Sequence, residues 1–220
     1  MTLQLQPVSA TEALARSLRD RILSGEIEPG SRLPELELVR SYGVARPTVR
    51  EALQLLVHQG LLQRRPNHSA CVPELTPAAV EDIFYARAPL ELHTVRTLAE
   101  RGEEIPAARA AVERFEALGD KAHWSEAVDA DLAFHVALID AVGSPRLARL
   151  HAALEGEIRL CIAQLRPAWH TPSALAEEHR QVLDGILAGS PPAAEARMRE
   201  HLDKAVRDLT GRARERERDA

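Results

Sequence analysis

The sequence has little aromatic character, almost no cysteine and no long apolar segment. Only 3% of its 220 residues are aromatic, and alanine, leucine, glutamate and arginine dominate instead, which favours helices. Cys71 and Cys161 form no CxxC pair, so neither a thiolate zinc site nor a disulfide framework is indicated. No apolar run could cross a bilayer, and MTLQLQPVSA lacks the basic-then-apolar order of a signal peptide. We therefore expect a cytoplasmic protein with no membrane partner.

The charges are divided unevenly along the chain, whose net charge is -5. Residues 1–73 contain nine arginines, no lysine and seven acidic residues, about +2, whereas the remainder has 19 basic and 26 acidic residues, about -7. A basic first part can bind nucleic acid, which the acidic remainder would repel. We predict two domains, residues 1–74 and 75–220.

Three helices and a hairpin are predicted in the first domain. Ser9 and Glu12 form a capping box at the start of a helix that runs through Ser24. A short second helix follows from about Glu35 to Tyr42. A glycine turn separates it from a third helix, which begins near Ala45. Two short extended runs around the turn PNHSA then predict a β-hairpin.

The start of the third helix is polar and cationic, with Arg46, Thr48 and Arg50 in its first turns. In a helix-turn-helix the second helix lies in the major groove, where arginine pairs bidentately with guanine. The alternative is that these are solvated surface charges, as most arginines are. The preceding turn, the hairpin and the charge division favour DNA contact.

The run from Leu14 to Val72 closely resembles the winged helix-turn-helix of GntR-family transcriptional regulators. The segments that carry the resemblance are IxxGxxxPGxxLPE, GVARPTVREAL and QGLLQRRPNHSACV. It implies that double-stranded operator DNA is the partner and that the contacts come from Arg46, Thr48, Arg50, Arg40 and His68. Leu36 departs from the family, since many members carry a DNA-contacting arginine there.

The second domain reads as an antiparallel all-α bundle after a proline-containing linker. Prolines fall at or near predicted helix starts, where a missing amide is harmless. Six helices are predicted, at about 78–101, 104–118, 122–142, 145–166, 172–188 and 191–214. The charged tail GRARERERDA is expected to fray. The fold class is therefore mostly α, a winged helix-turn-helix of three helices plus a small hairpin followed by a helical bundle.

Four potential metal ligands lie on apolar helix faces of this bundle. In DLAFH, Asp131 and His135 are four residues apart and point the same way. A buried aspartate needs a partner, and His179 and His201 lie in apolar stripes of two later helices. Three histidines and a carboxylate suit zinc, or nickel, cobalt or manganese with water. The alternative for each histidine alone is a hydrogen-bonded core side chain.

The segments DLAFHVALIDAVGSPRL and EEHRQVLDGILAGSPPAAEARMREHL look like the FCD effector domain of the FadR subgroup of that family. The resemblance implies a divalent metal ion held by Asp131, His135, His179 and His201. Six helices are typical of the shorter, VanR-like branch. Ser144 departs from the asparagine that commonly follows the glycine.

Arg87 is the candidate effector-binding residue, because members of this family often keep an arginine there that faces the pocket. A guanidinium beside a metal would suit a small carboxylate. The alternative is a salt bridge to Glu91, four residues later. Trp124, Trp169 and His170 could also shape the pocket, although packing explains them equally well.

Together these features predict a homodimeric, metal-containing regulator, not an enzyme, that represses transcription and senses a small organic acid. Two rival functions remain. In the first the metal itself is the signal. In the second, which the sequence favours less, the metal activates a water for hydrolysis and Glu177 or Glu178 serves as the base.

Overall fold

The computed structural model describes residues 9–64, 68–119, 122–165 and 171–219. The chain divides into two compact units, Met1–Glu74 and Leu75–Ala220. Both units are built mainly from helices, which confirms the predicted fold class. Within the described residues no helix is long and apolar enough to span a membrane.

The described residues of the first unit form three helices around a small aliphatic core. They are α1 (Ala10–Leu23), α2 (Glu35–Tyr42) and α3 (Arg46–His58). The predicted capping box is present, because the Ser9 side chain accepts from the amide of Glu12 and the Glu12 side chain accepts in return. The apolar faces of α1 and α3 pack together through fully buried side chains, namely Leu18, Ile22, Val49, Leu53 and Leu56.

The predicted hairpin is only partly correct. The named strands are β1 (Arg32–Leu33) and β2 (Ala70–Cys71), which pair antiparallel. The two arms of the expected hairpin meet in a single bridge between Gln63 and Cys71. The sequence does not predict a strand at residues 32–33, because two residues between a serine and a proline are too few to show alternation.

The turn between α2 and α3 depends on Gly43, whose φ of 64° lies in the left-handed region. A side chain there would meet no atom within 4 Å, so the cost of a substitution is conformational and not steric. Gly43→Ala should therefore lower the free energy of opening of α2 and α3 by about 1 kcal/mol. Native-state hydrogen exchange would measure it. Gly43→Asn is the matched control and should lose less, because asparagine tolerates this conformation. Equal losses would contradict the assignment.

The described residues of the second unit form six helices, the number expected. They are α4 (Pro77–Arg101), α5 (Pro106–Glu116), α6 (Trp124–Ala141), α7 (Pro145–Gln164), α8 (Pro172–Leu187) and α9 (Pro191–Asp219). Proline stands at the start of five of them, as the missing amide of proline predicts. The tail departs from expectation, since α9 continues to Asp219 with an Arg212–Glu215 ion pair along its charged end.

The long helices α4 and α9 lie side by side, and α6 is surrounded by α4, α5, α7 and α8. Helix α6 is therefore buried on several faces. Its polar residues Asp131 and His135 lie inside the bundle, where α8 and α9 bring further polar side chains to meet them.

Candidate metal centre and DNA-binding surface

The four predicted metal ligands meet at one point in the bundle. Asp131 and His135 come from α6, His179 from α8 and His201 from α9. One ligand atom from each lies within 4.8 Å of all the others, and all four residues are buried. Four donors at about 2.1 Å from a common ion lie roughly 3–4 Å apart, so small side-chain adjustments suffice.

The imidazole of His179 is oriented by the backbone. Its Nδ1 lies 2.7 Å from the carbonyl oxygen of Leu175, one turn earlier. A carbonyl oxygen only accepts, so Nδ1 donates to it and Nε2 is the ring nitrogen that faces the centre. That Nε2 is 3.2 Å from Oδ1 of Asp131. Two acceptors at this distance need a shared cation, either a proton or a metal ion.

The other two histidines repeat this arrangement. Nε2 of His135 and Nε2 of His201 are 3.3 Å apart. Their Nδ1 atoms point away from each other, 2.8 Å from Oε2 of Glu91 and 3.5 Å from Oε2 of Glu178 respectively. Both distances are those of polar contacts, although neither Nδ1 counts a hydrogen-bond partner among the described residues. All three imidazoles therefore turn Nε2 inwards and Nδ1 towards an acceptor.

The electrostatics suit a cation. Burial lowers the pKa of His135 to about 3, in spite of the attraction of Glu91. Burial also lowers the pKa of His201, against the contact with Glu178. For Asp131, burial by itself would raise the pKa, but the adjacent His179 outweighs it and the pKa falls below its usual range. An ionised Asp131 and unprotonated imidazoles at His135 and His201 are the states in which these side chains bind metals.

Buried polar atoms at the centre have no hydrogen-bond partner among the described residues. They include Oδ2 of Asp131 and Nε2 of His179. An unsatisfied buried polar atom is costly, and few remain in native proteins. A metal ion would satisfy the inward-facing atoms together, so the residues present fit a divalent metal.

A cavity adjoins this centre. Its volume is about 40 Å³, and its wall includes Asp131, His201 and Arg87 together with Phe84 and Trp124. Of the pocket-shaping residues proposed from the sequence, Trp124 thus lines the cavity, whereas Trp169 and His170 lie outside the described residues.

Arg87 takes part in the salt bridge that was its alternative explanation. Its Nε donates to Oε1 of Glu91 at 2.5 Å, and both side chains are 2% exposed. The same guanidinium lines the cavity, and its Nη2 is buried with no hydrogen-bond partner. Arg87 therefore both forms the ion pair with Glu91 and lines the cavity, so the two explanations do not exclude each other.

The two glutamates proposed as a hydrolytic base are already engaged. Glu178 pairs with Lys204 at 3.1 Å and faces His201. Glu177 lies at the surface and pairs with Arg180 and Gln181. Glu178 lines the cavity, but its carboxylate is already paired, and Glu177 is not among the lining residues. The geometry therefore favours binding over hydrolysis.

A cluster of arginines lies on the first unit around Glu35. Oε2 of Glu35 accepts from Nε of Arg46 at 3.1 Å and from Nε of Arg50 at 2.9 Å, and Oε1 accepts from Nη2 of Arg64 at 2.8 Å. Burial would raise the pKa of Glu35, but the three guanidiniums outweigh it and lower the pKa. Because the bonds to Arg46 and Arg50 use Nε, their terminal nitrogens remain available.

The remaining DNA-contact candidates are spread over this unit. Arg46 and Arg50 are more than half exposed. Thr48 is half-buried in the first turn of α3, Arg40 is exposed in the last turn of α2, and His68 is exposed before β2. Sequence reasoning missed Glu35 and Arg64, since only the fold shows that residues from α2, α3 and the segment after α3 converge.

Comparison with known families identifies both units. Residues 82–204, more than half of the chain, match the FCD domain, and residues 10–72 match the bacterial regulatory proteins of the gntR family. The chain belongs to the GntR family, with an FCD domain. The GntR region covers all three helices of the first unit, and the FCD region contains all four candidate metal ligands.

Relatives of this GntR protein are transcriptional regulators. An HTH-type transcriptional regulator in an unstable DNA locus of Streptomyces ambofaciens is 33% identical over 197 residues, which are 87% of this chain and 81% of that protein. The HTH-type transcriptional regulator YdhC of Bacillus subtilis (strain 168) is 26% identical over 189 residues, 84% of each chain. The crystal structure of a GntR transcriptional regulator from Rhodococcus sp. RHA1 superimposes with a TM-score of 0.76 at 26% identity and covers 91% of this chain and 97% of that chain. The protein is a DNA-binding transcriptional regulator of the GntR/FCD type.

Proposed function

We propose that this GntR regulator is a homodimeric repressor whose second unit binds a divalent metal ion and a small organic acid. The observation that carries the proposal is the orientation of the three imidazoles. Each turns Nε2 towards the others and towards Asp131, while Nδ1 faces an acceptor. A structural histidine in a core has no need of this arrangement, whereas a metal ligand does.

Asp131, His135, His179 and His201 would hold the metal ion. Four protein donors complete a tetrahedral zinc site, in which a ligand binds the metal only if the coordination number rises. Nickel, cobalt and manganese accept five or six donors more readily and would leave positions for the effector and water. Bound there, the metal supplies positive charge and a coordination position at the wall of the cavity.

The effector we propose is a small carboxylate. One water molecule needs about 10–15 Å³ of cavity volume. A cavity of about 40 Å³ therefore suits a ligand with only a few non-hydrogen atoms. Arg87 lines this cavity, and its buried Nη2 has no hydrogen-bond partner. A carboxylate could place one oxygen at the metal and the other at the guanidinium. Effector binding then changes the affinity for the operator. The size of that change equals the ratio of the effector's affinities for the DNA-free and the DNA-bound conformation of the regulator.

In the first unit, Arg46, Arg50 and Thr48 are proposed to enter the major groove at the start of α3, with Arg40 and His68 as flanking contacts. Ala45 is the N-cap of α3 and makes no side-chain hydrogen bond to it, so backbone amides at the N-terminal end of this helix remain open to a phosphate. Dimerisation follows from the two-fold symmetry that operators of helix-turn-helix proteins have.

Effector gating and metal sensing predict different metal contents. If an organic acid is the signal, the metal-to-protein ratio should stay near one with or without the acid. Among short mono- and dicarboxylates, one at about 100-fold above its Kd should stabilise the metal-loaded protein by about 2.7 kcal/mol, roughly 5–10 °C in melting temperature. Elemental analysis, thermal melts and gel shifts on DNA selected from a random library measure these outcomes.

Metal sensing gives the opposite pattern. Chelation alone would release the operator, and no carboxylate would change the melting temperature or the gel shift. A protein that selects no DNA with or without added metal would contradict both versions of the proposal. The metal-free protein is the matched control, because a carboxylate that binds through the metal should lose its effect there.

A further inference from the structure

A buried carboxylate lies directly behind the candidate metal centre. Glu91 is on α4 and is 1% exposed. Its Oε1 accepts from Nε of Arg87 at 2.5 Å and is 3.2 Å from Nε2 of His151. Its Oε2 is 2.8 Å from Nδ1 of His135. One side chain therefore touches a residue of the cavity, a candidate metal ligand and a histidine from α7.

Burial of the charged Glu91 side chain is unfavourable, and the ion pair with Arg87 offsets this. An isolated carboxylate costs several kcal/mol to bury, whereas a close guanidinium repays much of that. The pairing uses Nε of Arg87 and Oε1 of Glu91. It leaves Nη2 of Arg87 and Oε2 of Glu91 for other partners. Arg87 lines the cavity, and Oε2 of Glu91 faces His135.

A contact of this kind has a defined effect on a metal ligand. A carboxylate at the outer nitrogen of a ligating histidine fixes its tautomer and ring orientation and makes the inner nitrogen a better donor. For His135 the outer nitrogen is Nδ1, and the inner Nε2 lies 3.3 Å from Nε2 of His201. His151 reaches Glu91 from α7, so the carboxylate is held from two helices.

We propose that Glu91 is a positioning residue shared by the metal centre and the cavity. It holds His135 as an Nδ1-protonated ligand, and it holds Arg87 with one guanidinium nitrogen left for an anion. This inference rests on the proposed metal site. An anion at the remaining nitrogen of Arg87 weakens the attraction of the guanidinium for Glu91 and so strengthens the contact of the carboxylate with His135. Metal and anion then bind cooperatively, each raising the affinity for the other by the same factor.

The test uses zinc as the probe and the full-length protein. Glu91→Gln keeps the size of the side chain but removes the charge, and should weaken zinc binding by about 10–100-fold while the stoichiometry stays at one ion per chain. Competition with a chromophoric chelator gives the affinity. Glu100→Gln is the matched control, because Glu100 forms the same i,i+4 pair with Arg96 on the same helix but at the surface, and it should leave the affinity unchanged.

Two further measurements separate positioning from folding. The double variant Arg87→Gln with Glu91→Gln removes both buried charges, so it avoids an unpaired guanidinium, and should show the same loss. In zinc-loaded wild-type protein, nitrogen NMR of the imidazoles should find His135 protonated at Nδ1 and zinc-bound at Nε2. Wild-type zinc affinity in both variants, or zinc on Nδ1, would overturn the role of Glu91. Absence of zinc binding by the wild-type protein would instead overturn the proposed metal site.

Discussion

Replacing His179 with alanine should reduce the bound metal from about one ion per chain to close to none. His179 is fully buried, its Nδ1 is held by the carbonyl of Leu175, and its Nε2 is 3.2 Å from Asp131. Without that nitrogen the site keeps three donors, and no other described histidine reaches it. Metal binding that is linked to folding contributes to stability, so the loss should also appear in the melting temperature.

The size of that second effect follows from mass action. With free metal at about 1,000-fold above Kd, binding stabilises the native protein by about 4 kcal/mol, or roughly 10 °C for a chain of this size. Chelation should therefore lower the melting temperature of the wild-type protein and leave that of His179→Ala nearly unchanged. Elemental analysis and thermal melts measure the two quantities.

Controls distinguish loss of a ligand from loss of the fold. His93→Ala removes an exposed histidine from α4 and should retain full metal content. His201→Ala removes a ligand from a different helix and should reproduce the loss. Stoichiometric metal in both ligand variants would mean that the ion binds elsewhere. A circular dichroism spectrum like that of the wild-type protein confirms that each variant remains helical.

Helical periodicity alone predicts that each candidate ligand lies on a buried helix face. A spacing of four residues puts Asp131 and His135 on one face of α6, and apolar neighbours indicate that this face is buried. That His179 and His201 reach the same point was implied by the family resemblance and not by spacing. The structure adds the contact itself, within 4.8 Å.

The residues around these ligands were less accessible to sequence reasoning. Glu91 was predicted only as a salt-bridge partner of Arg87, one turn away, because local spacing says nothing about contacts with α6 and α7. Its contacts with His135 and His151 join positions 44 and 60 residues distant in sequence. Glu35 is similar, since its three arginine partners follow it by 11, 15 and 29 residues. Ionic contacts between residues distant in sequence depend on the fold. The residues around Glu35 and Glu91 show no sequence pattern that predicts such contacts.

Replacing Arg50 with alanine should weaken binding to a selected operator by about 10- to 100-fold and relax base preference at one position. Arg50 is 57% exposed near the start of α3, and Glu35 holds it through Nε, which leaves both terminal nitrogens for a guanine edge. Arg46 is held in the same way, so Arg46→Ala should produce a loss of similar size. Gel shifts on DNA selected from a random library, at one fixed salt concentration, measure these affinities.

Control variants distinguish a direct base contact of Arg50 from other causes of reduced operator affinity. Arg96→Ala removes an equally exposed, glutamate-paired arginine from the second unit and should leave operator affinity unchanged. An Arg50 that contacts only phosphate would weaken all sequences uniformly and lower the salt dependence, without relaxing base preference. Wild-type affinity in Arg46→Ala and Arg50→Ala alike would mean that these arginines are ordinary surface charges. Glu35→Gln separates positioning from contact, because it leaves every guanidinium in place and should weaken binding only if their preset orientation matters.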